Sequence, residues 1–478
     1  MGFIDQRVRK SGGIFVGIVL LGMVAAACSQ TAPSSRSSSS HDSMEMQAST
    51  GSAAMEVVHA SYLDLAGNIA DQRARVDQWQ NGDEASLNIA KEKLERIEII
   101  LATTKWAPTM LKATTAVNAA IAPMQRALNA SDQAHARTAA KTMSDASHDV
   151  THAFYGDWLP SLKGQHFSTM APHAIYLDLN ANIADLRTRV AAWEKGDEGS
   201  LNIAVEKVER IQVLVQHAYS TAVLLKPVNA IGASLPSISA ALARKDVAAA
   251  TGALKPLSDA AHDLTHDFYA WLKVTAGSND PACIQAAYMD LSTNIAELKT
   301  RVTAWEKGDA SSLNIAQEKL ERIEIVLAHP RWSPPLLSAI QKIEHALPDV
   351  TLALKQQNPA LTQESLKPFS DASHDVTHAY YGDFLPQAHQ SVQVALHTDT
   401  QTGHSTAPVT SAQTVSGHAD SHGPTETAVD SSTPDKGLVL GGFGVANGMV
   451  IALAALFKIR TRKKKRSEKT TSTGALPE

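Results

Sequence analysis

Cysteine is almost absent: the chain holds only Cys28 and Cys283, so no disulfide framework can staple it. Aromatic residues make up 5% of the chain, and no stretch shows sustained period-two alternation, which argues against a sheet architecture. Signatures of enzymes are missing too. There is no Gly-x-Ser-x-Gly, no His-Glu-x-x-His, no phosphate-binding glycine loop and no Cys-x-x-Cys-His for covalent haem. The chain is therefore read as non-enzymatic. Net charge is −5 and the basic residues are not concentrated on the central part, so nothing points to nucleic acid. What remains is an alanine-rich chain with abundant Glu and Lys and 44% hydrophobic residues, a composition that favours packed helices.

Basic residues gather instead at the two ends. Arg7, Arg9 and Lys10 precede an apolar run from Gly12 to Ala27 and then Cys28, which reads as a secretory signal over 1–28. The string Val24-Ala-Ala-Ala-Cys28-Ser resembles a bacterial lipoprotein signal, which implies lipidation of Cys28. Ala25 stands where that pattern prefers leucine, so an ordinary signal or an uncleaved anchor stays open. Near the other end, 437–457 carries no charge over a length close to the ~20 residues that cross a bilayer. Lys458, Arg460, Arg462, Lys463, Lys464, Lys465 and Arg466 follow it. Positive charge is retained on the cytoplasmic side, so the tail 458–478 is expected inside and the rest outside. Residues 29–54 and the His/Ser/Thr-rich 393–436 read as disordered linkers.

Between the linkers the sequence repeats. Tyr62-Leu-Asp64-x-x-x-Asn68-Ile-Ala recurs from Tyr176 and, with Met for Leu, from Tyr288, at intervals of 114 and 112 residues. His148, His262 and His374 keep the same intervals. A period this long exceeds that of solenoid repeats, so each copy is taken as a domain: 55–168, 169–277 and 281–392. Copy one contains a periodic helix from Tyr62 to Trp79 that ends at Gly82-Asp83. A second helix runs over Ser86–Ala102, with Leu87, Ala90, Leu94, Ile97 and Leu101 as its seam. A third covers about 108–129, and a fourth ends in a histidine string. The expected fold class is all-α: three tandem four-helix bundles plus one C-terminal transmembrane helix.

That fourth-helix string is the strongest candidate for chemistry. It reads Ser-Asp-Ala-Ser-His148-Asp149-Val-Thr-His152, with His262, Asp263 and His266, then His374, Asp375 and His378, in the other copies. Histidines four apart lie about 40° apart on a helix, close enough to chelate one ion. The neighbouring aspartates, or a glutamate of the second helix, would add carboxylate ligands. On that helix Glu92 pairs with Arg96, which leaves Glu95, Glu209 and Glu321 as the freer carboxylates. On the first helix Asp64, Asn68, Asp71 and Arg75 form a stripe opposite the apolar side, with Asp71 and Arg75 spaced for an i,i+4 pair. The missing Glu-x-x-His pattern argues against a di-iron bundle. Flexible His389, His397, His404, His418 and His422, and His41, Met44 and Met46, would suit metal capture.

Several readings stand open. One is a transition-metal site (Cu, Zn, Ni or Fe not distinguished) for scavenging, buffering or sensing. A second is a structural polar network in a spacer or protein-interaction module of the cell envelope. A third and weaker one is non-covalent haem. The expected partners are the membrane and another envelope protein.

Overall fold

Twelve long helices and no strand make up the described residues of the computed structural model, which are 42–162, 172–217 and 222–388 (side chains of 42–54, 222 and 223 excepted). The expected signal, the 393–436 linker, the apolar stretch 437–457 and the basic tail lie outside them. Among the described residues no helix is long and apolar enough to cross a membrane. Residues from Gln47 onward form one unit, which contains all three copies.

Copy one comprises α1 (Asp42–Gln80), α2 (Ala85–Thr103), α3 (Leu111–Asn129) and α4 (Gln133–His152). Copy two comprises α5 (Pro172–Glu194), α6 (Gly199–His217), α7 (Ala222–Ala243) and α8 (Val247–Val274). Copy three comprises α9 (Pro281–Glu306), α10 (Ser311–Ala328), α11 (Pro334–Lys355) and α12 (Pro359–Ala379). One expectation needs correcting: α1 begins at Asp42, inside the stretch 29–54 read as a disordered linker. Its Met, Glu, Gln and Ala are good helix formers, and they extend a helix that packing has already nucleated further along.

The turns explain the up-down-up-down path. Gly82, Gly196 and Gly308 adopt φ near +95°, a conformation in which glycine carries no Cβ penalty, and they close the first helix of each copy. Asp83, Asp197 and Asp309 follow, each accepting a hydrogen bond from a buried serine hydroxyl: Ser86, Ser200 and Ser312. At the opposite turn Asp132, Asp246 and Asn358 cap the fourth helices, accepting from the backbone N–H three residues on.

The fourth helices hold a small irregularity with a legible cause. Copies one and three read Phe154-Tyr-Gly-Asp-Trp158 and Tyr380-Tyr-Gly-Asp-Phe384, while copy two reads Phe268-Tyr-Ala-Trp271, one residue shorter. The longer versions form π-helical turns, Ala153–Trp158 and Tyr380–Phe384, whereas α8 continues as regular α-helix. A π turn absorbs one inserted residue, so Leu159 and Leu385 stay buried in register with Leu272.

The apolar side of α1 is as expected: Tyr62, Leu65, Ile69, Val76 and Trp79 are all buried. On α2 the buried seam runs through Ala90, Leu94, Ile97 and Ile100, with Leu87 and Leu101 only partly covered. The opposite stripe of α1 is also buried, at Asp64, Asn68 and Asp71, as are Asp178, Asn182 and Asp185 on α5 and Asp290 and Asn294 on α9, while Glu297 is half-buried. The reason is that the first helices pack against each other. His59 Nε2 lies 2.9 Å from Asp178 Oδ2, His173 Nε2 lies 3.0 Å from Asp290 Oδ2, and Gln285 donates to the Ser61 hydroxyl. α1 meets α5, α5 meets α9 and α9 meets α1, so the copies close a pseudo-threefold ring with the first helices as its hub.

Candidate functional site

Each seam of the ring is built from two copies. Asp178 of copy two accepts from the hydroxyl of Tyr155 at 2.5 Å and from Asn182, and His59 sits on its other oxygen. Tyr269 and Asn294 treat Asp290 in the same way, beside His173. At the closing seam Tyr381 and Asn68 serve Asp64. The histidine is missing there, because its position is Gln285. Tyr380, standing where the other copies have Phe154 and Phe268, donates to Asp64 Oδ2 instead. One substitution compensates the other, and the carboxylate keeps its full set of partners.

These groups are out of water. Burial pushes Asp64 above the usual carboxylate range, opposed by the hydroxyls of Tyr381 and Tyr380 and by Arg96. Burial likewise raises Tyr155, Tyr269 and Tyr381 well above 10, and each feels the neighbouring aspartate. Arg210, Arg322 and Arg96 lie over those tyrosine rings at 5.5, 5.1 and 5.2 Å. One turn along, the expected Asp71–Arg75 pair is present at 3.3 Å, but Lys93 binds the other oxygen at 2.8 Å. In copy two Lys207 and Asp185 are wholly buried at 2.9 Å, and burial, with Arg210 nearby, brings Lys207 down to about 8.

The histidine pairs lie at the outer edge of the same seams. His148 and His152 place their Nε2 atoms 2.9 Å apart, His262 and His266 3.1 Å, and His374 and His378 2.9 Å. Each pair is mostly exposed, while Val150, Leu264 and Val376 on the same helices are buried. Two pairs gain a carboxylate from the next copy. His148, His152 and Glu206 bring ligand atoms within 4.8 Å of one another, as do His374, His378 and Glu92. Among the described residues no third group of this kind forms around His262 and His266.

The convergent carboxylates are thus Glu92 and Glu206, not the freer Glu95, Glu209 and Glu321. Glu95 points to solvent and Glu321 takes the ammonium of Lys273. Glu92 and Glu206 also hold Arg96 and Arg210, which places them at the seam. Asp149 and Asp263 are exposed outside these groups, and Asp375 accepts from Lys342 at 2.6 Å. Burial lowers His148, partly offset by Glu206 and reinforced by His152 and Arg210. Glu206 stays below its usual range despite burial, because Arg210 neutralises it. Cys283 is buried and its thiol is pushed up to about 12 by burial, with Asp280 and Glu56 adding to the rise, so it is no nucleophile. His41, His389, His397, His404, His418 and His422 lie outside the described residues.

The sequence hid the glutamates because their partners belong to another copy. The signal was present: Glu92-x-x-x-Arg96 recurs in every copy, and an arginine that must reach a neighbouring tyrosine fixes which way its glutamate faces. Comparison with known protein families, characterised proteins and solved structures finds no match for this chain.

Proposed function

We propose that this chain is a membrane-tethered, extracytoplasmic, non-enzymatic metal-binding protein. Its sites take a divalent transition ion (Cu, Zn, Ni or Fe) between neighbouring copies of the ring, for scavenging, buffering or sensing. The observation that carries the reading is the same trio at two seams: His148, His152 and Glu206, and His374, His378 and Glu92. Two imidazoles and one carboxylate suit these ions and leave a coordination position open for water or a ligand. Cys28 as lipid anchor and 437–457 as a transmembrane helix, with the tail 458–478 cytoplasmic, place the repeats 55–168, 169–277 and 281–392 outside. The membrane is the expected partner, another envelope protein a further one, and nucleic acid none.

The test is titration of residues 47–388, which omit the His-containing linker, with Cu, Zn, Ni and Fe(II) at neutral pH. Two sites of similar affinity are expected, with His262/His266 weaker. His148→Ala should remove one and His374→Ala the other, without unfolding. Imidazole must be neutral to ligate, so affinity should fall as pH drops through about 6. At a hundred times its dissociation constant a bound ion adds about 2.7 kcal/mol of stability. Absence of binding by all four ions removes the proposal. A structural module without metal then stands, favoured by Arg96 and Arg210, which already partner both glutamates. Absorbance near the Soret region of the same sample reports on haem.

A further inference from the structure

Among the described residues the large exposed apolar side chains are few; Val205, Leu352 and Leu361 stand apart, and the other four share a place in the fold. Leu111, Leu225 and Leu337 are 49%, 42% and 42% exposed and occupy the same position in the three copies, at the start of the third helices. The residue before each, Met110, Leu224 or Leu336, is buried, so the exposed leucine is not simply the fringe of the core. Val274, 83% exposed, stands at the C-terminal end of α8. These four belong to one end of the ring. Tyr62, in the middle of α1 but one turn into the part that α5 and α9 match, bonds Thr151 near the end of α4. Arg331, just before α11, donates its backbone N–H to Ser278, just after α8. The parallel hub bonds between His59 and Asp178 and between His173 and Asp290 point all copies the same way. Exposed Lys105, Lys112, Lys226 and Arg331 flank the leucines at this end.

Both chain connections leave from that end as well. α1 enters the ring there, and the chain departs there after residue 388. Between 388 and the apolar stretch at 437 lie residues 389–436. On the membrane-tethered reading, both anchors are then joined to the ring at this one end. We propose that the ring docks on the lipid surface through this end, the three leucines and Val274 entering the headgroup boundary and the lysines and arginine meeting anionic headgroups. This rests on the membrane-tethered reading above. The metal-binding seams then stand upright from the membrane, with no part in the contact.

The full chain, reconstituted in vesicles of neutral lipid with about a third anionic lipid, tests it. A photo-crosslinking side chain replaces Leu111, Leu225, Leu337 or Val274 one at a time, with Leu352 at the opposite end as control. Crosslinks to lipid are expected from the first four and not from Leu352. The triple change Leu111→Ser, Leu225→Ser, Leu337→Ser should cut the lipid adduct at Val274 by ~tenfold or more, while leaving the melting temperature within a few degrees. Alkaline carbonate extraction runs in parallel. A chain released by carbonate defeats the anchor reading and the docking with it. A chain retained in the bilayer that gives no lipid adduct, equal adducts at Leu352, or adducts only to protein overturns the docking alone.

Discussion

Position 285 shows how a buried carboxylate dictates its surroundings. Copies one and two give the aspartate a histidine and leave the stacked ring a phenylalanine, whereas copy three has Gln285 and Tyr380. Tyr380→Phe removes the hydroxyl at 3.2 Å from Asp64 and leaves that oxygen short of a partner, which should cost about 1–3 kcal/mol. Adding Gln285→His should restore most of it, because the histidine would reach Asp64 as His59 reaches Asp178. Chemical denaturation of the two variants decides, and a double variant no more stable than Tyr380→Phe would refute the exchange. His148 supports a second test. Burial depresses its imidazole in the folded protein, so the unfolded chain takes up the proton first. Its contribution to stability is complete above ~6.5 and disappears as pH falls through the lower folded value. Metal-free protein should lose melting temperature over that window, and His148→Gln should flatten the loss. Parallel profiles for the two proteins would show that another group carries it.

Among the elements, the fourth helices allow the clearest contrast. Copy two lacks one residue after Tyr269 and has no π turn, so Gly156 in copy one is the spare residue that the π turn absorbs. Deleting Gly156 should convert that turn to α-helix at a cost of ~1 kcal/mol or less. Deleting Ala270 instead rotates Leu272 and the residues after it by about 100° away from the core, and should cost ~2–5 kcal/mol. Equal melting losses for the two deletions would contradict a spare residue at Gly156. Much of the element structure was legible beforehand: the glycine-aspartate turns, the apolar side of α1 and the histidine spacing all follow from residue type and period. The buried polar stripe was not. Asp64, Asn68 and Asp71 look like a solvent-facing stripe in sequence, because periodicity reports that two sides differ and not what covers each. Glu92 and Glu206 were passed over for the same reason, since the groups that orient them come from a neighbouring copy.

For the molecule as a whole, the decisive property is that the third seam matches the two that the chain connects covalently. Tyr381, Asn68 and Arg96 repeat between copies three and one what Tyr155, Asn182 and Arg210 do between copies one and two. Apart from Gln285 and Tyr380, which replace the histidine and phenylalanine of the other seams, that packing is the same at a junction that carries a peptide link and at the one that does not. The chain ends at 55 and 388 lie at the end of the ring where the copies are joined at 162–172 and 274–281, so a connection there meets no obstacle. A circular permutant that joins 388 to 55 through about ten flexible residues and opens between 275 and 280 should therefore fold to the same ring. Its helical circular dichroism should match the parent and its melting temperature should fall by only a few degrees. Removing copy three altogether is the opposite case. Asp64 then loses Tyr380 and Tyr381, Tyr269 loses Asp290, and the hub loses α9. Residues 47–277 should melt far below the parent or associate through the opened seams, and a single copy such as 169–277 should be less stable still. A permutant that fails to fold while 47–277 remains monomeric and as stable as the parent would mean that the three copies stand side by side as independent bundles and that the ring is open.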